Sequence, residues 1–140
     1  RRKNKTKREN WKRSNIYKTM ISPKLKTILL ISIPLFGLHA LEEYIFKFYL
    51  LDPSFAWVGN IFNYTPATVF LVEQVLGLFL ILLTIYKPRK ILLVIIGLIF
   101  IVEISHPIIA IFSHLYAGLL TSIPLIVVGI LYWKNLLSRE

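Results

Sequence analysis

The sequence predicts an all-α fold, that of a polytopic membrane protein built as a four-helix transmembrane bundle with both termini in the cytoplasm. Of the 140 residues, 56% are hydrophobic, and the mean hydropathy of +0.64 is too high for an ordinary soluble domain. Four apolar segments are each long enough to cross a bilayer, which takes about 20 residues. Their apolar character is continuous and not alternating, so they predict helices and exclude barrel strands.

The predicted spans divide the chain into one membrane domain and two tails. The spans cover residues 27–46, 66–86, 91–113 and 115–133. The sequence KPRK at 87–90 predicts a tight turn between the second and third spans, because proline breaks a helix. The connection 47–65 is long and rich in aromatic residues, which suit the membrane interface. The resulting domains are a basic tail at 1–26, a membrane domain at 27–133 and a short tail at 134–140.

Basic residues are concentrated on one side of the predicted bundle. With the N-terminus inside, the cytoplasmic segments carry eleven, three and two Lys or Arg residues, whereas the outer side carries only Lys47. This distribution follows the positive-inside rule. It predicts an integral membrane protein with both ends in the cytoplasm, and we expect it in a bacterial plasma membrane.

The basic tail accounts for the formal net charge of +10, since residues 1–26 hold eleven Lys or Arg residues and one acidic residue, Glu9. Beside so apolar a body, we interpret the tail as a solvated segment attracted to anionic membrane lipids, and we expect no nucleic-acid partner. Met20, the only methionine, is a candidate natural start, which would leave residues 1–19 outside the natural protein.

Ionisable side chains interrupt the apolar spans. They are His39, Glu42, Glu43, Glu73, Glu103, His106 and, at the third turn, His114. An ionised carboxylate deep in the membrane costs about 2.5–3.5 kcal/mol. Four unpaired ones would cost roughly 10–14 kcal/mol, which is comparable to the stability of a whole fold. The predicted spans contain no Lys or Arg, so metal ions or shared protons must compensate these charges.

The spacing of these residues predicts that they meet. His39, Glu42 and Glu43 stand at i, i+3 and i+4, which places them on one helical face, and Glu103 and His106 stand at i and i+3. At about 1.5 Å per residue, the predicted topology puts the groups in one layer, about 7–15 Å from the outer ends of the spans. Carboxylate and imidazole ligands without thiolate suit zinc, iron or manganese.

We therefore predict a site for one or two divalent metal ions, zinc or iron, with ligands drawn from all seven ionisable residues and with Glu43 and Glu73 as the catalytic residues. The inventory matches that of two-metal helix bundles, which use single glutamates and Glu-x-x-His pairs, although the order differs. A single metal with a glutamate base is equally compatible. The predicted function is an intramembrane metalloenzyme acting on a lipid or lipid-linked substrate, by metal-activated water hydrolysis or di-iron-type oxidation.

Two other functions fit the same residues. A proton- or cation-coupled carrier would use the glutamates as shuttles, and a homodimer would help to build its path. A non-catalytic ligand-binding or structural subunit would use the polar layer to hold helices together. Within these alternatives, Glu42 and Glu43 would reach the membrane interface near Lys47, and His114 would be an interfacial turn residue.

The stretch HALEEY resembles the motif of the HXXEE family of small multi-span membrane proteins, because His39, Glu42 and Glu43 match His-x-x-Glu-Glu residue by residue. The resemblance covers about residues 25–135 and implies a membrane domain with suspected metal binding or enzymatic activity. The stretch EEYIFK is also similar to the Glu-Glu-x-x-x-Arg motif of the CAAX-type intramembrane proteases. Lys47 replaces the arginine of that motif, and Ala110 stands where its Phe-x-x-x-His motif has phenylalanine.

Overall fold

The computed structural model describes residues 21–108 and 119–138. This part of the chain is helical and contains no strand, which confirms the predicted all-α fold. The α-helices are α1 (Pro23–Ile45), α2 (Pro53–Phe62), α3 (Pro66–Tyr86), α4 (Lys90–Val102) and α5 (Leu119–Leu137), and a 3-10 turn covers Phe48–Leu50. Most of the basic tail and His114 lie outside the described residues.

Four helical segments are long and apolar enough to cross a membrane, as predicted. They are Pro23–Ile45, Pro66–Tyr86, Lys90–Ile108 and Leu119–Leu137. Many of their large apolar side chains face outwards, with Leu120 75%, Val75 67% and Leu38 54% exposed. So much exposed apolar surface is characteristic of a bundle surrounded by lipid. These are the features of an integral membrane protein.

Two spans are longer at their ends than the sequence predicts. The first begins at Pro23 and includes Lys24 and Lys26, and the fourth continues to Leu137, beyond Lys134. Lysine stems are apolar and can lie along a bundle while their ammonium groups reach water or headgroups. Charged residues at the ends of a span therefore do not stop its helix.

The connection 47–65, predicted only as an aromatic segment at the membrane interface, contains α2. Asp52 accepts a hydrogen bond from the backbone N–H of Ser54 and caps the helix, and Pro53 follows at its first position. A proline there loses no hydrogen bond, because the first N–H groups of a helix lack an acceptor. Ser22 and Thr65 cap α1 and α3 in the same way.

Close helix packing between α4 and α5 depends on glycine. A Cβ atom added at Gly97 would lie 2.5 Å from Cζ2 of Trp133, whose Nε1 donates a hydrogen bond of 3.0 Å to the Gly97 carbonyl oxygen. A Cβ atom at Gly129 would lie 2.9 Å from Cβ of Phe100. Small residues allow such approach between membrane helices, where dispersion contacts replace the hydrophobic effect as the main attraction.

The third span is interrupted at Glu103 and Ile104. α4 ends at Val102, two residues form a turn, and helical geometry resumes at 105–108. Pro107 lies four residues after Glu103, and in a regular helix its ring would clash with the Glu103 carbonyl group. The interruption therefore follows from the proline, and it lies in the Glu103-x-x-His106 pair.

Replacing Gly97 by alanine tests the α4–α5 contact. The added methyl group meets the Trp133 ring, and we expect the free energy of unfolding to fall by about 1–3 kcal/mol, as for other overpacked cores. Thermal unfolding in detergent measures the change. Gly37→Ala is the matched control, because a Cβ atom at Gly37 meets nothing within 4 Å. Equal unfolding midpoints for the two variants would contradict the packing described here.

Candidate metal centre

Two imidazoles and two carboxylates meet between α1 and the third span, and we call His39, Glu43, Glu103 and His106 the His/Glu cluster. His39 Nε2 lies 3.0 Å from Glu103 Oε2 and 3.5 Å from Glu43 Oε1. His106 Nδ1 lies 3.1 Å from the same Glu43 oxygen. All four residues are buried, with between 1% and 8% of their surface exposed.

Local structure brings the cluster together. His39 and Glu43 are one turn apart on α1, so their side chains share a face. Glu103 and His106 flank the interruption before Pro107, where the His106 N–H bonds to the Glu103 carbonyl oxygen at 3.3 Å. Two chain segments thus supply one imidazole and one carboxylate each.

Four atoms of the cluster lack a hydrogen-bond partner among the described residues. They are His39 Nε2, Glu43 Oε1, Glu103 Oε2 and His106 Nδ1. Each has an imidazole or carboxylate neighbour of the cluster within 3.0–3.5 Å, and these contacts are ion pairs when the imidazoles are protonated. A buried polar atom without a partner costs about 1–3 kcal/mol. A cation between the four atoms would remove that cost for both nitrogens and both oxygens.

The arrangement fits a divalent metal ion. Ligand atoms of His39, Glu103 and His106 all lie within 4.8 Å of one another. Four ligands arranged tetrahedrally around zinc at about 2.0–2.1 Å are about 3.3–3.4 Å apart. The His39–Glu103, His39–Glu43 and His106–Glu43 separations of 3.0, 3.5 and 3.1 Å lie close to that value. Two histidines and a glutamate form one of the ligand sets of catalytic zinc, which leaves a fourth position open.

A hydroxyl group on α5 holds the His39 ring. Thr121 Oγ1 donates a hydrogen bond to Glu42 Oε2 and lies 2.9 Å from His39 Nδ1. Because the hydroxyl has one hydrogen and Glu42 receives it, His39 must donate its Nδ1–H to Thr121. When the ring is neutral, the lone pair then lies on Nε2, the nitrogen that faces the carboxylate oxygens of the cluster. Histidines that bind metals commonly donate their second nitrogen in this way.

Glu42 is directed towards α5 and not towards the cluster. Its Oε1 accepts a hydrogen bond of 3.1 Å from the Leu120 N–H, and its Oε2 accepts one of 3.0 Å from the Thr121 N–H. N–H groups in the first turn of a helix have no partner within the helix, and the helix dipole favours an anion there. Both oxygens of Glu42 are therefore already bonded.

Aromatic rings cover the cluster on the side of the 47–65 connection. Phe48 stacks on the His106 ring, with centroids 5.0 Å apart and an angle of 25° between the planes. Phe48 also meets the edge of Phe55 at 6.2 Å, and Phe55 meets Phe70 at 5.7 Å. The 3-10 turn and α2 thereby shield the His106 ring from water, which strengthens electrostatic interactions at the cluster.

A cavity of about 340 Å³ adjoins the cluster. Its wall includes Asp52, at the start of α2, and Glu73 and Gln74, on α3. Gln74 Nε2 donates a hydrogen bond of 3.4 Å to Glu43 Oε2, the carboxylate oxygen that does not face the imidazoles. The volume is near the lower end of small-molecule pockets, which are about 300–1,000 Å³.

The structure brings together four of the seven residues predicted for the site, namely the members of the His/Glu cluster. Glu73 lies on the cavity wall, Glu42 bonds to α5, and His114 lies outside the described residues. Sequence reasoning missed Thr121 as a site residue. The sequence gives little indication of this role, because the hydroxyl group of a threonine in an apolar span usually forms a hydrogen bond within its own helix.

Comparison with protein-family models, curated proteins and solved structures found no match for this chain.

Replacing Glu42 by glutamine tests its bonds to α5. An amide offers one acceptor oxygen, so one N–H of α5 would face an NH₂ group, and we expect the free energy of unfolding to fall by about 1–3 kcal/mol. Thermal unfolding in detergent measures the change. Glu73→Gln is the matched control and should stay within about 0.5 kcal/mol, because Glu73 is exposed. A Glu42→Gln variant as stable as this control would contradict the assignment.

Proposed function

We propose that this protein is an intramembrane metal-dependent hydrolase, with one divalent cation bound by His39, Glu103 and His106. The observation that carries the proposal is the convergence of four buried polar atoms that have no hydrogen-bond partner among the described residues. No Lys or Arg contacts the cluster among the described residues, so positive charge there comes from a bound cation or from protonation of the two imidazoles. The nitrogen and oxygen ligand set suits zinc and also iron.

Glu43 is the general base in this proposal. A cation at the cluster would make a bound water more acidic and would polarise a substrate carbonyl group. Glu43 Oε1 lies 3.1 Å from His106 Nδ1, and Gln74 holds the second oxygen, so the carboxylate is fixed beside the ligand atoms. There it can accept a proton from water and return it to the leaving group.

Hydrolysis with one ion is favoured over di-iron oxidation. Within the described residues, one group of three ligands is close enough to share an ion, whereas a two-iron centre needs two sets. Glu42, which would enlarge the set, bonds to α5. Glu73, on the cavity wall, contacts the substrate in this proposal and does not bind the metal.

The distribution of polar groups favours an enzyme over a carrier. In the described spans, histidine and acidic side chains lie only in the half of the bundle that contains the cluster, and the lysines lie at the ends of the spans in the other half. The other half has small hydroxyl groups, of which Ser32 and Thr84 bond to carbonyl groups of their own helices. A carrier would need polar groups along its whole path.

Family membership and orientation belong to the same proposal. The HALEEY stretch, with His39 and Glu43 in the cluster, supports placement in the HXXEE family. The positive-inside rule supports cytoplasmic termini in a bacterial plasma membrane. With that orientation, the cluster lies in the outer half of the bilayer, within reach of lipid substrates.

Metal analysis of the purified protein tests whether the cluster binds a metal ion. Protein isolated in detergent without chelators should carry about one zinc or iron ion per chain. His39→Gln and Glu103→Gln should each lower the metal content severalfold or more, and gel filtration reports whether the variants stay folded. Asp52→Asn is the matched control: it removes a carboxylate from the same cavity, and asparagine still caps α2.

Wild-type protein without bound metal would contradict the proposal, as would full metal retention in the His39→Gln/Glu103→Gln double variant. Catalysis is measured separately with p-nitrophenyl decanoate as the ester. Glu43→Gln should keep the metal and lose about 10²–10⁴-fold in turnover, the usual contribution of a general base. Turnover unchanged in Glu43→Gln would exclude Glu43 as the base.

A further inference from the structure

We propose that the cavity beside the His/Glu cluster binds a single-chain amphiphile with a non-anionic polar head, which enters from the bilayer between α3 and the third span at Gly77. This inference names the substrate class and rests on the proposed function, although binding in the cavity itself requires no metal.

The cavity reaches the lipid-facing surface in the middle of the bundle. Leu76 on α3 and Val102 on α4 both line it, and they are 53% and 59% exposed. Beside them, a Cβ atom added at Gly77 would meet nothing within 4 Å. Gly77 lies about 16 Å along α3 from Pro66, near the centre of a span about 30 Å long. At that depth the surroundings are hydrocarbon, so the opening admits an alkyl chain.

The cavity wall changes from polar to apolar along the bundle. Its polar end holds the cluster together with Asp52, Ser54 and Glu73, and its apolar end holds Phe36, Leu80, Ile81 and Ile99. From Glu73 to Ile81, the distance along α3 is about 12 Å. This gradient matches an amphiphile with its head at the cluster and its chain towards the bilayer centre. A volume of about 340 Å³ suits one chain and not two.

The charge of the wall selects the head group. Asp52 and Glu73 add two carboxylates to those of the cluster, and the residues that line the cavity include no Lys or Arg among those described. A cation held by the cluster would offset the carboxylates there but not these two. Like charges repel strongly in a poorly solvated site. The wall therefore disfavours phosphate and carboxylate heads and accepts amine, alcohol or amide heads.

The cluster adjoins the junction between head and chain, where an ester or amide bond would lie. In hydrolysis, the water oxygen bonds to the acyl carbon and the bond from that carbon to oxygen or nitrogen breaks. The proton taken by Glu43 passes to the leaving alcohol or amine. The other product is a carboxylic acid, which releases the second proton of the water to solvent and becomes a carboxylate. The acidic wall would repel this carboxylate, so the same charges that select the substrate favour release of the product.

Photolabelling tests the site with defined probes. Hexadecylamine and hexadecanoate, each with a diazirine in mid-chain, are irradiated with the wild-type protein in phosphatidylcholine nanodiscs. We expect the amine to label residues around 76–81 and 99–102. We expect the carboxylate to label them about tenfold less, a difference of about 1.4 kcal/mol.

Gly77→Phe should fill the opening and lower amine labelling by about tenfold. Leu80→Trp, which fills the apolar end, should do the same. Gly37→Phe is the matched control, since Gly37 also has open space around it but lies on α1, away from the cavity. Labelling unchanged in both Gly77→Phe and Leu80→Trp would overturn the cavity as the binding site. Equal labelling by the two probes would overturn the head-group selection.

Metal content measured on the same samples separates the two proposals. Gly77→Phe should retain the metal of the wild type, because α3 supplies none of the three metal ligands and a Cβ atom at Gly77 meets nothing within 4 Å. Site-specific labelling in a protein that holds no metal would refute the metal-dependent hydrolase and leave the amphiphile site standing. Bound metal together with labelling spread evenly over all lipid-facing helices would refute the amphiphile site and leave the metal-dependent hydrolase standing.

Discussion

Hydrocarbon cannot solvate a carboxylate, and the buried meeting of two carboxylates with two imidazoles therefore constrains the whole bundle. The surrounding helices form hydrogen bonds with several of the polar atoms of these residues and of Glu42. Thr121 receives His39 Nδ1–H, and Gln74 bonds to the second oxygen of Glu43. α5 directs backbone N–H groups at Glu42. Four atoms remain without a hydrogen-bond partner among the described residues, and they face one another within the cluster. A requirement for positive charge is thereby confined to a space the size of one ion.

The membrane-spanning helices were predictable because a long, continuous apolar segment forms a helix in a membrane whatever its neighbours. The ends of these helices were harder to predict, since lysines lie within α1 and α5 without ending them. α2 was missed, although Asp52 followed by Pro53 is a regular helix start. The ten residues of α2 are about three turns, too few for length alone to indicate a helix in the way that the apolar spans do. Its position is instead set by Phe55, which packs against Phe48 and Phe70.

The site could be predicted as far as helical spacing determines it. The i, i+4 relation of His39 and Glu43 survives in the structure, whereas the choice between Glu42 and Glu43 does not follow from spacing. Adjacent residues differ by about 100° around a helix, so both point broadly to one side. Rotation of α1 against its neighbours decides which carboxylate meets the imidazoles and which meets α5. Thr121 is 82 positions from His39 in the sequence, and no local sequence pattern predicts such a contact.

X-ray absorption at the edge of the metal that co-purifies with the protein addresses the cluster most directly. The geometry predicts a first shell of nitrogen and oxygen only, at about 2.0–2.1 Å for zinc, with the outer-shell scattering of two imidazole rings. One ring should vanish from the spectrum in His39→Gln and one in His106→Gln. A shell without imidazole scattering, or a spectrum that neither substitution alters, would contradict a metal centre built on this cluster.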